Sequence, residues 1–322
     1  MELFVHNHPK IFIETVKTSP IILTEGSVIE RLKREFKYPL DNFLLNAQMI
    51  YSEGGRELLR KIYKQYLEQA KEAGLPVILL SPTWRANAER IEKAGLSHKN
   101  VNADAVRFMQ DIRAEFGDFA GSIFIGGLTG CKGDAYKPSE ALTEKEAEEF
   151  HKPQVKELSE AGADFLLAST LPALSEAKGI AKTMSSAGTP YMLSFVISAD
   201  GNLLDGTPLS SAVEEIDAFT YAPPLHYMVN CVHPAIFQRA VYKDGRISGP
   251  IQKRVIGLQA NSSDKSPEEL DNLDALESDD PDNWGNTMAE LHNKMNLKII
   301  GGCCGTNNSH IECLIKHLRE TV

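Results

Sequence analysis

TEKEAEEFHKPQVKELSEAGADFLLAS, residues 143–169, holds the repeating unit of this chain in one stretch. Thr143 and Glu146 stand at the spacing of a capping box, which predicts a helix over 144–161. Gly162 supplies the left-handed turn that ends it. Phe165-Leu166-Leu167-Ala168 then reads as a short buried strand. The same order recurs on both sides. A helix over 55–73 carries Leu58, Leu59, Ile62, Tyr63, Tyr66 and Ala70 on one face and stops at Gly74, before Val77-Ile78-Leu79-Leu80. A helix over 174–187 stops at Gly188, before Tyr191–Ile197.

The remaining apolar runs are Ile21–Leu23, Ser122–Ile125, Tyr227–Asn230, Val255–Leu258 and Leu297–Ile300, the last followed by a helix over 308–319. The runs lack strict alternation, as expected of parallel strands covered on both faces. Strands alternating with helix-sized segments predict an α/β fold, a (β/α)8 TIM barrel, with a doubly wound open sheet as the alternative on the same pattern. At 322 residues the chain suits one barrel domain spanning 1–322.

Lys plus Arg is 34 and Asp plus Glu is 44, a net charge of −10, which argues against nucleic acid or an anionic membrane as partner. No apolar run approaches the roughly 18 residues of a membrane span, and the start, MELFVHNHPKIFIE, shows no secretory leader. His6 and His8 precede any predicted core element and read as surface residues. Glu268 to Asp282 holds eight acids and no Lys or Arg, either a solvated loop or a mobile lid over the barrel's carboxyl end. The spacing in 279–285 does not match a calcium loop.

Five cysteines, an odd and sparse set, point to free thiols in a reducing cytoplasm. Gly301-Gly302-Cys303-Cys304-Gly305-Thr306 lies at the carboxyl end of the last strand. Adjacent strand residues face opposite ways, so the glycines are expected to bend the chain until both sulfurs turn inward. Cys231, in Val229-Asn230-Cys231, ends the sixth strand, which is expected to face the eighth across the rim. Three converging thiolates suit zinc with one open position. The alternatives are a vicinal redox pair at Cys303-Cys304 and small buried hydrophobes, the second being the reading for Cys131 and Cys313. His233, close to Cys231, reads as part of the loop into the next helix, with metal ligation as the alternative. The turn at Gly126-Gly127 and Gly130 reads as ordinary strand-end geometry.

Taken together, these motifs resemble the homocysteine-binding domain of zinc-dependent homocysteine S-methyltransferases. The resemblance rests on Ile300-Gly301-Gly302-Cys303-Cys304-Gly305-Thr306 with His310-Ile311, on Val229-Asn230-Cys231, and on Ser194-Phe195-Val196 with Asp205–Leu209. Phe150–Pro153 and Leu171–Ala177 fall in the expected order, so the match runs over roughly residues 20–320. It implies zinc on Cys231, Cys303 and Cys304, with the thiol of homocysteine as fourth ligand. The substrate thiolate is then the nucleophile, no side chain acts as catalyst, and methyl transfer from a small donor gives methionine. S-methylmethionine, S-adenosylmethionine and betaine are the donors that the resemblance implies.

Two positions depart from the family pattern. Glu25 stands where an Asp is usual after the first strand, and Ser169 where a Glu is usual after the fourth. In the family these acids hold the substrate's amino group. Glu25 is therefore the expected amine contact, with Ser169 at the vacated position. The change at Ser169 also admits a zinc-containing thiol-binding barrel, a carrier or sensor without methyl transfer. Trp84 and Tyr136 at the expected rim, and Trp284 in the possible lid, are suited either to caging a cationic donor or to packing.

Overall fold

A computed structural model describes residues 7–243, 246–264 and 279–320. Eight parallel strands close into a barrel in sequential order. They are β1 (Ile22–Thr24), β2 (Val77–Leu80), β3 (Ile123–Gly130), β4 (Phe165–Leu171), β5 (Tyr191–Phe195), β6 (Tyr227–Val232), β7 (Val255–Ala260) and β8 (Ile299–Gly302). Every predicted run holds a strand, and the doubly wound alternative falls because β1 pairs with both β2 and β8. Several strands extend past their apolar runs toward the carboxyl end, where polar residues continue the ladder.

Helices cover the outside. The principal ones are α1 (His8–Thr18), α2 (Glu53–Ala73), α3 (Val101–Ala114), α4 (Glu144–Glu160), α5 (Leu174–Ser185), α6 (Leu209–Phe219), α7 (Pro234–Val241), α8 (Pro281–Met295) and α9 (Asn308–Glu320). The capping box forms at α4: Thr143 accepts from the Glu146 amide, and the Glu146 carboxylate accepts from the Thr143 amide at 3.1 Å. Gly74 ends α2 with φ +68°, a conformation that costs an L side chain energy.

The strands bury both faces in two separate cores. Ile22, Ile78, Phe124, Phe165, Met192 and Met228 fill the barrel interior, while Leu23, Leu79, Ile125 and Leu166 pack under the helices. This double burial accounts for the missing alternation.

α1 closes the amino-terminal end of the barrel, with Phe12 stacked on Phe165 at 4.2 Å between centroids. The expectation of a surface His8 is thereby corrected. Its ring is buried beside the Arg113–Asp164 ion pair of 2.6 Å, and burial pushes its pKa down to about 4. His6 lies outside the described residues, as does most of the acidic segment 268–282. Among the described residues no helix is long and apolar enough to cross a membrane.

Candidate active site

The carboxyl end of the barrel opens into a cavity of about 300 Å³. Its wall includes Glu25, Trp84, Ser169, Asn230, Cys231, Cys303 and Cys304. The three sulfurs lie within 4.8 Å of one another, and Cys231 Sγ stands 2.7 Å from Cys303 Sγ. Among the described residues this is the group of metal-ligating side chains that could hold an ion. β6 and β8 do not face each other across the whole rim, as expected from sequence. They flank β7, with Asn230 paired to Gln259 and Gly302 to Ala260. The shorter separation is what lets the sulfurs meet.

The two adjacent cysteines converge because β8 ends at Gly302, so Cys303 and Cys304 lie in a turn. Backbone and side-chain bonds fix that turn from three sides. Cys303 N donates to Ala260 O at 2.7 Å, and Cys304 N donates to Asn261 Oδ1 at 3.1 Å. Thr306 Oγ1 donates to Cys303 O at 2.7 Å, and Gly305 N donates to the Glu30 carboxylate. Gly301 and Gly302 serve differently from the expectation. They do not bend the strand; a Cβ at either would stand 2.1 Å from the hydroxyl of Thr24 or Thr306. Gly305, at φ +79°, makes the bend.

Charge in the cluster is uneven. Hydrogen bonds from Cys303 and Cys304 hold the Cys231 thiol well below its ordinary pKa. The same contacts push Cys303 and Cys304 well above theirs. Three thiolates in contact repel one another, which disfavours full ionisation of the cluster. A divalent cation removes that limit. The donor set is soft and threefold, and tetrahedral zinc at about 2.3 Å from each sulfur needs sulfurs roughly 3.8 Å apart, within the span the three thiols occupy.

Glu25 directly follows β1 and is 7% exposed. Its carboxylate accepts from Leu80 N at 3.0 and 3.2 Å, and burial pushes its pKa well up. Ser169 also lines the cavity, its hydroxyl 3.3 Å from that of Thr170. Trp84 lines the cavity too; its indole donates to Ser169 O at 3.4 Å, and the Arg85 guanidinium covers one face at 4.2 Å. Tyr136 reaches Cys231 from the loop after β3, and the neighbouring Cys231 sulfur holds its hydroxyl protonated. Trp284 is not a cage residue: it is buried under α8, donating to Asn261 O at 3.0 Å.

His233 caps α7, accepting from Ala235 N, and stands 2.8 Å from Asp279 Oδ2. Cys131 is buried as expected, with its thiol pushed up to about 12 by burial. Cys313 is half-buried on α9, so the expectation of a buried hydrophobe holds only in part there.

Sequence reasoning missed Asn261, Glu30 and Gln259. Asn261 holds the Cys304 amide, Glu30 holds the Gly305 amide, and Gln259 lines the cavity while donating to Thr24 Oγ1 at 3.2 Å. The one signal available was their position just past β1 or at the end of β7.

The fold and site define a (β/α)8 barrel with three convergent thiols at its carboxyl rim, a set that could hold a metal ion. The family model for homocysteine S-methyltransferase matches residues 22–318, and this chain belongs to that family of methyltransferases. It is 24% identical over 315 residues to the homocysteine S-methyltransferase YbgG of Bacillus subtilis, covering 92% of this chain and 93% of that one. It is 25% identical over 316 residues to the homocysteine S-methyltransferase of Escherichia coli, covering 91% and 94%. The crystal structure of the metallated form of the homocysteine methyltransferase MmuM from Escherichia coli superposes with a TM-score of 0.74 at 20% identity, covering 96% of this chain and 99% of that one, a likeness of fold.

Proposed function

We propose that this chain moves a methyl group from a small cationic donor to the thiolate of homocysteine or a related thiol, giving methionine or the corresponding thioether. Cys231, Cys303 and Cys304 would hold a zinc ion. The observation that carries the reading is the convergence of these three thiols inside a cavity that also contains a buried carboxylate. When bound there, zinc supplies Lewis acidity that keeps a substrate thiol ionised at neutral pH.

The remaining parts are the chain's own. The Glu25 carboxylate is buried and accepts from Leu80 N, so an incoming ammonium restores its charge and is oriented by it. Ser169 offers a neutral hydroxyl on the opposite wall. Glu25 and Glu30 are acidic, while Lys33, exposed, is the basic side chain of the wall among the described residues. That field favours a sulfonium or quaternary ammonium donor, and the uncovered face of Trp84 suits such a methyl group. S-methylmethionine, S-adenosylmethionine and betaine carry such methyl groups. The sulfur lone pair forms the new carbon–sulfur bond as the old bond's electrons leave on the donor heteroatom. The five free cysteines suit a reducing cytoplasm.

The test is elemental analysis of reduced protein beside methyl-transfer assays with each donor. About one zinc per chain, lost together with activity in Cys303→Ser, is the expected result. Full activity in that variant would refute the proposal.

A further inference from the structure

Two residues at the rim hold a backbone conformation that L side chains avoid: Thr170 at φ +61° and Cys231 at φ +56°. Thr170 is β-branched, which makes its left-handed turn the more strained of the two. They belong to different strand ends, β4 and β6, with β5 between them. Asn230 joins them. Its Oδ1 accepts from Thr170 N at 3.0 Å and from Ser194 Oγ at 2.7 Å. Its Nδ2 donates to Thr170 Oγ1 at 2.7 Å and to Cys231 Sγ at 3.2 Å. The side chain is 1% exposed, and two donors and two acceptor sites are all used.

We propose that Asn230 is a positioning residue: one amide holds both strained turns, and so fixes where the Cys231 sulfur stands relative to Cys303 and Cys304. The inference rests on the reading of the three cysteines as a metal site. Local geometry supports the division of labour. A residue inside a strand, as Cys231 is inside β6, normally holds negative φ. At φ +56° Cys231 breaks the β6 ladder, and the pairing with β7 shifts between Asn230 and Val232. The Nδ2–Sγ bond joins the contacts from Cys303 and Tyr136 on that sulfur, and it is the one that comes from the adjacent residue of the same irregular strand segment. The same amide sets the opposite wall, because Thr170 follows Ser169, whose carbonyl oxygen takes the Trp84 indole. Asn230 thus ties the candidate donor-facing wall to a candidate metal ligand through a neutral group. An outer-shell partner of this kind typically governs metal retention by 10- to 100-fold without touching the metal.

Asn230→Ala removes all four bonds. Asn230→Ala combined with Thr170→Gly removes them while allowing the left-handed turn at position 170 without a side-chain penalty, which keeps the fold within reach. Both proteins and the parent are loaded with cobalt(II). The sulfur-to-cobalt charge-transfer absorption and the rate of metal release to a chelator are then measured, with thermal unfolding alongside. The expected result is a weakened charge-transfer band and release at least about tenfold faster in both variants, with unfolding recovered in the double variant but metal retention not. A band of parental intensity and release within twofold of the parent, in either folded variant, would overturn the assignment. A parent that takes up no cobalt would overturn the metal reading itself, and this inference with it.

Discussion

Replacing Glu25 by Gln tests the proposed contact with the substrate's amino group. The amide oxygen of Gln can still accept from Leu80 N, so the wall keeps its shape and only the charge is removed. Glu25 is buried, and the carboxylate's contribution to holding an ammonium is that of one charge-assisted hydrogen bond, about 1.5–3 kcal/mol. At 1.4 kcal/mol per decade this is roughly a 10- to 150-fold loss of kcat/KM toward the thiol substrate. The loss belongs in the KM for the thiol, with the donor KM unmoved. The pH dependence follows in sign. Burial raises the Glu25 pKa, so thiol affinity in the parent weakens as pH falls through that raised value, and E25Q shows no such limb. In the absence of substrate the folded chain keeps a proton on Glu25 that the unfolded chain has lost. Stability from this group therefore declines as pH rises above the ordinary carboxylate value of 4.5, and E25Q removes the decline. Steady-state kinetics varying thiol and donor separately, from acidic to neutral pH, are the assay. An E25Q enzyme within twofold of the parent in thiol KM, with an unchanged pH profile, would refute the role assigned to Glu25.

Further outcomes are expected. Trp84→Ala should raise the donor KM by about 2- to 30-fold, the range of about 0.5–2 kcal/mol for a cation over an aromatic face, with thiol KM unchanged in the same kinetics. Trp284→Ala should act on stability instead, costing about 3–5 kcal/mol in denaturant unfolding, because the ring is buried and its indole N–H is bonded to Asn261 O. Gly305→Ala should lower both stability and metal content, since φ is +79° and the new Cβ would stand 2.1 Å from Ser262 Oγ; calorimetry and elemental analysis read both. His226 has its pKa pushed down to about 4 by burial and by Arg254, so its neutral form is the folded one. The stability it supports is present above about 6.5 and is lost as pH falls toward 4, and His226→Gln should flatten that limb in acid unfolding.

The barrel was legible because its cause is local. A helix stop such as Gly74, followed by a four-residue apolar strand such as Val77–Leu80, needs no distant partner to be recognised. Spacing also singled out Cys303-Cys304 and Cys231, since strand ends carry the working residues of this fold. Their mutual approach was not in the sequence. It depends on β6 and β8 flanking β7 and on a turn tied to Asn261, Ala260 and Glu30, contacts between residues tens to hundreds of positions apart. The same holds for α1. No predicted element fell on it, and only the closed barrel shows that Phe12 and His8 seal its amino-terminal end. Periodicity is fixed by each residue's neighbours along the chain. Convergence of side chains, with the burial that shifts Glu25 and the sulfur contacts that shift the thiols, arises only when strands far apart in sequence share one rim.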